Sequence, residues 1–262
     1  MNFSVLGSGS KGNATLIESG STRILIDNGF SGKELIKRLD QIGVPAESLS
    51  GLIVTHEHID HVKGVGVVAR KLGIPVYAND LTYRAAEKHL GRIPQRREFA
   101  TGEPFALDGL AIHPFAVSHD TADPVGFLVG DGKLRLGYCT DTGKITQLIR
   151  HHLSSCQALI LEANHDVAML RQGPYPLVLQ QRVLSSQGHL ANKDSLQLAA
   201  ELAQGRLRHL VLAHLSEINN HPDLVRSEVR QYLQGNETLT VALAEQGIPG
   251  KLAVISEEGA GI

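Results

Sequence analysis

His56-Glu57-His58-Ile59-Asp60-His61 follows directly on the apolar run Gly51-Leu52-Ile53-Val54. Four potential metal ligands within six residues, delivered at the end of a short buried strand, constrain the fold more than any other stretch. Imidazole and carboxylate are the groups that borderline divalent cations accept at catalytic sites. A polar loop that happens to be rich in His is the plain alternative. Packing these ionisable groups together without a counter-cation would be unfavourable, and three imidazoles with a carboxylate leave room for two ions. A paired site needs ligands from other segments. Open α/β sheets bring such groups together at the C-terminal ends of their strands.

Short apolar runs at 2–6, 14–18 and 23–27, punctuated by Gly-Ser turns, predict three strands. Ser31 is suited to cap a helix through Asp40, which Gly43 and Pro45 end. A buried strand over 52–54, a helix over 62–72, a strand over 74–78 and a polar helix over 81–90 follow. From 103 to 138 the pattern is one of successive antiparallel strands, with hairpin turns at Asp108-Gly109 and Asp131-Gly132. Beyond Asp141 the alternation resumes: helix 144–152, strand 158–161, helices 176–186 and 193–204, strand 209–213, helix 222–234. Both halves run from strands into helices. A single α/β domain over 1–262, with two sheets sandwiched between helices, fits this order.

Apolar residues at 42% and charged residues at 20% are ordinary for a globular protein. A net charge of -2 gives no global pull toward nucleic acid or membrane, so a polyanion needs a local patch. Two cysteines, Cys139 and Cys156, suggest no disulfide framework. No basic stretch leads into an apolar core at the N-terminus, and no segment is apolar enough for a bilayer span. The expected location is the cytoplasm, with no membrane partner. With no Trp and 4% aromatics, a surface of many stacked rings is not expected.

Gly7-Ser8-Gly9-Ser10-Lys11-Gly12 satisfies G-x-G-x-x-G, and Asp27 lies downstream at a suitable distance. A dinucleotide site requires a helix immediately after the glycines, because the pyrophosphate sits on its N-terminus. Here Ala14-Thr15-Leu16-Ile17 and a second β-like run follow, which is a hairpin. The glycines therefore read as a tight loop with positive φ bordering the site.

His119 in Val117-Ser118-His119-Asp120, Asp141 in Tyr138-Cys139-Thr140-Asp141, and His214 in Leu212-Ala213-His214-Leu215 each come just after an expected strand. Alone, either His is more often a hydrogen-bonded core residue and Asp141 a helix cap. With the first loop they complete a two-metal set.

In these residues, with Asp27 upstream, the chain resembles the metallo-β-lactamase fold superfamily over essentially its whole length. More narrowly, the Gly7 to Asn13 loop, Ser118-His119-Asp120, Leu161-Glu162-Ala163-Asn164-His165-Asp166, Gly188-His189-Leu190-Ala191-Asn192 and His214-Leu215-Ser216-Glu217 resemble the YycJ group, also called WalJ or VicX. That group is similar in turn to tRNase Z and to the cyclic-phosphate diesterase of phosphonate breakdown. Related chains often read Gly-His-Leu-Ser-Asn where this one has Ala191.

The resemblance implies an αββα four-layer sandwich with the site at one edge. It implies that His56, His58 and His119 hold one ion, that Asp60, His61 and His214 hold the other, and that Asp141 bridges them. Asp27 is implied to orient the His loop. Glu162 and His189 take the places of the Glu and His thought to supply the leaving-group proton in tRNase Z. With Asp60 they are the candidate catalytic residues, and His165 is a neighbour. Two cations about 3.5–4 Å apart lower the pKa of a shared water and neutralise charge on both reacting oxygens. A bridging hydroxide is then the expected nucleophile, and Cys139 is left as a buried strand residue. The ligands suit zinc or manganese.

Arg84, Lys88, His89, Arg92, Arg96 and Arg97 place five cations and a His within fourteen residues, with Glu87 the only acid among them. Such a run can be a solvated helix face. It can also track a phosphate backbone, with Lys63 extending it, so Lys63, Arg92, Arg96 and Arg97 are candidate substrate contacts. The YycJ resemblance implies a 5′–3′ DNA exonuclease acting in DNA repair. The alternative is a diesterase for a small cyclic phosphate, which needs a closed pocket. A third reading is a metal-binding regulatory module without turnover. Flavin-linked di-iron members carry a carboxylate where this chain has His58, which argues against redox chemistry; thioester hydrolases of the fold share the metal set.

Overall fold

The computed structural model describes residues 1–255; the stretch 256–262, part of the expected domain, lies outside the described residues. Among the described residues, seven strands form each of two mixed sheets. In the first, β1 (Asn2–Gly7), β2 (Ala14–Ser19) and β3 (Thr22–Ile26) are antiparallel. From β3 the sheet continues in parallel through β4 (Gly51–Ile53), β5 (Val76–Ala78) and β6 (Arg96–Glu98).

The second sheet repeats the scheme. Strands β7 (Phe105–Leu107), β8 (Leu110–Ala116), β9 (Val125–Gly130) and β10 (Arg135–Cys139) are antiparallel. From β10 the order runs parallel through β11 (Ala158–Glu162), β12 (His209–Ala213) and β13 (Thr240–Leu243). A last short strand, β14 (Ala253–Val254), returns to the first sheet beside β1.

Helices α1 (Gly32–Gln41), α2 (Ile59–Val62), α3 (Val65–Leu72) and α4 (Asp80–Leu90) belong to the first half. The second half carries α5 (Gln147–Leu153), α6 (Val167–Gln172), α7 (Leu177–Val183), α8 (Asn192–Ala203) and α9 (Pro222–Tyr232). The four layers follow from the period-two alternation of side chains along a strand. Ile17, Ile24, Ile26 and Ile53 join Ile112, Phe127, Val129, Leu136 and Ile160 in one apolar layer between the sheets. The alternate residues Leu16, Leu25 and Leu52 face outward onto Leu35, Leu39, Val65, Val68 and Leu90 from α1, α3 and α4. Leu159, Leu161, Leu210 and Leu212 do the same toward Ile149, Leu196, Ala199, Leu202 and Val225 from α5, α8 and α9. Strands apolar on both faces are what an αββα sandwich requires.

Helix starts obey their caps. Ser31 Oγ accepts the Glu34 N–H at the head of α1, and Asn79 does so for Thr82 at the head of α4. Thr146 Oγ1 accepts the Ile149 N–H, which moves the start of α5 to Gln147 from the expected 144. The helix expected over 62–72 divides at Gly64, whose N–H is drawn out of the helical ladder by the Asn28 carbonyl at 2.9 Å. Gly29, next along, lies against the His loop: a Cβ there would run into the Asp60 carbonyl. The loop after β3 thus packs directly under the His56–His61 segment. No helix of the described residues is long and apolar enough to cross a membrane.

Candidate metal centre

The parallel strands of both sheets end along one edge. Asp27 follows β3, the His56–His61 loop follows β4, His119 follows β8, Asp141 follows β10, Glu162 ends β11 and His214 follows β12. Asp27, Asp141 and His214 adopt φ of 60°, 55° and 56°. The left-handed region is uncommon for residues with a Cβ. Here it turns the chain sharply at the strand end.

The side chains converge into overlapping groups whose ligand atoms lie within 4.8 Å of one another: His56, His58 and His119; Asp60, His61 and His214; His56, His61 and Asp141. A further group joins Asp141 and His214 to Glu162 and His189. Asp141 lies between the first two sets, with Oδ2 3.5 Å from His61 Nε2 and Oδ1 3.9 Å from His119 Nε2.

Each imidazole but one is anchored from behind through Nδ1. His61 Nδ1 donates to Asp27 Oδ2 at 2.8 Å, His214 Nδ1 to Glu162 Oε1 at 3.0 Å, and His119 Nδ1 to the Gly188 carbonyl at 3.1 Å. Thr55 Oγ1 gives its proton to Asp27 Oδ2, so it accepts from His56 Nδ1 at 2.9 Å. Carboxylates and carbonyls only accept, so in their neutral form these four rings carry the proton on Nδ1 and turn an Nε2 lone pair inward. His58 is the exception and meets His119 Nε2 with its Nδ1, 3.3 Å away. His56 Nε2, His214 Nε2 and Asp141 Oδ2 are buried with no hydrogen-bond partner among the described residues. Orphaned buried acceptors are costly, and a cluster of them aimed at a common space fits divalent cations.

The same geometry sets the ionisation. Burial and the neighbouring rings of His61 and His119 push His56 well below the usual imidazole range. Burial also works against charge on His61, but the Asp141 and Asp27 carboxylates outweigh it and lift the ring to about 9. Burial opposes ionisation of Asp60 and Asp141; His214 and His61 nonetheless hold both below the usual carboxylate range.

Glu162 is fully buried, and each of its oxygens accepts twice. Oε1 takes His189 Nδ1 at 2.7 Å and His214 Nδ1; Oε2 takes the N–H groups of Thr142 and Leu190, both at 3.0 Å. Burial works against its charge, but His189 and His214 keep it ionised far below the ordinary range. His189 is raised in return: burial lowers it, and Glu162 more than compensates. Its ring borders a cleft of about 240 Å³ that also reaches His58, Asp60, Asp141 and His214.

The loop from Gly7 to Asn13 braces this centre. Ser8 Oγ accepts the His214 N–H at 2.9 Å, and Asn13 Nδ2 donates to Asp60 Oδ2 at 3.2 Å. Gly9 and Gly12 have φ of 138° and 149°, and the loop joins β1 to β2 as a hairpin. Cys139 is buried at the end of β10, its thiol pushed up by that burial, and does not line the cleft. His165 is buried with both ring nitrogens unpartnered and does not line the cleft.

None of Lys63, Arg92, Arg96 or Arg97 lines the cleft, and Arg96 is held by Glu98 at 2.9 Å and Asp80 at 3.3 Å, over the Tyr83 ring. What the sequence did not mark is Arg182 and Tyr175, which form part of the cleft wall. Arg182 sits in a segment whose pattern reads as an ordinary surface helix, and Tyr175 just ahead of it. Thr55 and Asn13 brace the centre as well, a role that the motifs they stand in do not reveal.

Residues 22–215 match a family model described as a beta-lactamase superfamily domain. The chain is similar to exodeoxyribonuclease YycJ of Bacillus anthracis, at 39% identity over 236 residues and 89% of each chain. It is similar also to exodeoxyribonuclease WalJ of Streptococcus pneumoniae, at 37% identity over 85% of this chain and 84% of that one. In fold it superposes on YhfI of Bacillus subtilis, a metallo-beta-lactamase fold protein, with a TM-score of 0.72, 20% identity and coverage of 95% and 99%.

Proposed function

The chain belongs to the metallo-β-lactamase fold superfamily, and from that premise we propose that it is a metal-dependent exodeoxyribonuclease. The observation that supports this most is the meeting of two cation-fitting groups at Asp141, directly beside the Glu162–His189 pair, on an accessible cleft. Relatives 37–39% identical over most of their length carry that activity in their names.

In this reading His56, His58 and His119 would hold one cation and Asp60, His61 and His214 the other, with Asp141 serving both. Two such ions, zinc or manganese, would supply an activated water and neutralise charge on the phosphate oxygens. The remaining work belongs to the chain. Asp27 and Glu162 fix the ring tautomers, so that lone pairs and not N–H groups face the ions. His189, charged through its bond to Glu162, keeps a proton on Nε2 at the cleft and passes it to the departing sugar oxygen. Glu162 stays ionised throughout and stabilises the imidazolium before transfer. Cutting runs 5′ to 3′ in the repair of cytoplasmic DNA, and residues 1–262 make up a single hydrolase domain.

The test is metal-reconstituted protein against end-labelled duplex DNA, single strands and a cyclic phosphodiester side by side. Progressive loss of mononucleotides from the 5′ end, abolished by a chelator, is the expected result. Turnover of the cyclic phosphate alone would replace this reading with a small-molecule diesterase. No turnover on any substrate by metal-loaded protein would leave a binding module.

A further inference from the structure

Arg182 projects from the last turn of α7 into the cleft wall and is the one Lys or Arg among the described residues that lines it. Its Nε donates to Asp120 Oδ2 at 2.6 Å, and its two terminal nitrogens meet no acceptor among the described residues. Asp120 directly follows His119, and its other oxygen is 3.6 Å from His119 Nε2. The guanidinium therefore sits one carboxylate's width beyond an imidazole of the metal centre.

The segment that carries it is firmly tied down. The Val183 carbonyl accepts the His189 N–H at 3.0 Å, the Ser186 carbonyl accepts Ser118 Oγ at 2.7 Å, and Gly188 holds His119 through its carbonyl. The end of α7 is thus fixed relative to both the metal-facing His119 and the proton-bearing His189. An ion pair this exposed contributes little to stability, so packing alone does not account for a charge aimed into the cleft. A planar fork with one edge engaged and the other open is suited to gripping two oxygens of a phosphate. Tyr175 and Leu179 on the same wall offer a ring and an apolar surface beside it, which suits a base rather than a bare phosphate.

Resting on the nuclease reading, we infer that Arg182, steadied by Asp120, binds the phosphate next to the one being cut, so that the site takes a strand and not an isolated diester. Arg182 is in this sense a specificity residue that touches substrate away from the reacting bond.

The experiment compares a single-stranded oligonucleotide with a twin whose linkage adjacent to the first one cut is a neutral methylphosphonate. The wild-type protein should lose about tenfold in kcat/KM on the twin, the value of one charge-assisted contact. Arg182→Ala should cut both equally, and Arg182→Lys, which keeps charge without the fork, should retain part of the preference. A purely structural role would lower both rates and keep the tenfold ratio. Arg182→Ala with that ratio intact, or wild-type protein indifferent to the neutral linkage, overturns the assignment alone. Wild-type protein that cuts neither strand overturns the nuclease reading and this inference with it.

Discussion

Replacing Glu162 by Gln changes one atom and tests the whole outer layer of the site. The carboxylate accepts four hydrogen bonds, two on each oxygen. Glutamine has one oxygen and one NH₂, so one pair of donors must confront other donors. The N–H groups of Thr142 and Leu190 are backbone and cannot adapt; the amide oxygen turns to them. The NH₂ then faces His189 and His214, which can accept only by moving their proton from Nδ1 to Nε2. His214 would present N–H, not a lone pair, to the cation, and His189 would lose the partner that keeps it charged.

Loss of such an outer partner costs roughly 10–100-fold in metal affinity, or about 1.4–2.7 kcal/mol. A lost general acid costs a further 10²–10⁴-fold in turnover, on the order of 3–5 kcal/mol. The two effects separate experimentally. Metal titration followed by elemental analysis should show one of two equivalents weakened. Turnover at saturating metal should remain depressed by about 100-fold or more, while the far-ultraviolet circular dichroism spectrum stays that of the wild-type protein. If Glu162→Gln keeps both tight equivalents and full turnover, the carboxylate neither sets the tautomers nor holds His189 charged, and the reasoning fails.

Other substitutions probe separate parts. Asp60→Ala removes one ligand and should abolish activity and lower metal content; turnover retained at the wild-type level would remove Asp60 from the centre. His189→Ala should keep both ions and lose turnover by about 10²-fold or more, so a variant depleted of metal would mean His189 is a ligand. Neutralising Arg92, Arg96 and Arg97 together should weaken DNA binding and flatten its salt dependence by up to about 0.7 per lost contact on a single strand. An unchanged slope would show that the patch is a solvated face tied to its own acids.

Where chemistry was contiguous, the sequence was easy to read. His56 to His61 reveal themselves because a strand end and its ligands share one short stretch, and the αββα order follows from apolar runs that alternate with helical periods. Glu162 and His189 were a different matter. Nothing in Leu161-Glu162-Ala163 says that a fully buried carboxylate will collect four donors; only the motif context pointed there. Strands β6, β13 and β14 are too short for a pattern to mark them: β6 is fully exposed, and β13 and β14 offer only four and two residues.

The basic run shows a further limit. Counting acids inside residues 84–97 leaves out Asp80 and Glu98, one turn before and one residue after, and these are the groups that hold Arg96. Arg182 escaped for the opposite reason. It lies six residues before Gly188, outside every motif and within an expected surface helix, and only the fold brings it beside Asp120.

The backbone at the strand ends explains why the ligands meet at all. Asp27, Asp141 and His214 sit in a left-handed conformation that costs of order 1–3 kcal/mol each for a residue with a Cβ. Glycine would relieve that cost but bring neither the carboxylates of Asp27 and Asp141 nor the imidazole of His214, so the side chain must come with strain. Neighbouring contacts over-determine the geometry. Thr55 holds Asp27 through N–H and hydroxyl, Ser8 and Asn164 clamp His214 from its N–H and its carbonyl, and Glu162 fixes the Thr142 N–H just after Asp141. The residues that hold the strained turns in place, Thr55, Ser8, Asn164 and Glu162, come from both sheets and from the glycine loop. A change in any one of these supports therefore reaches the ligands through the backbone. The centre is for that reason a property of the sandwich as a whole, built where two parallel sheet halves end together.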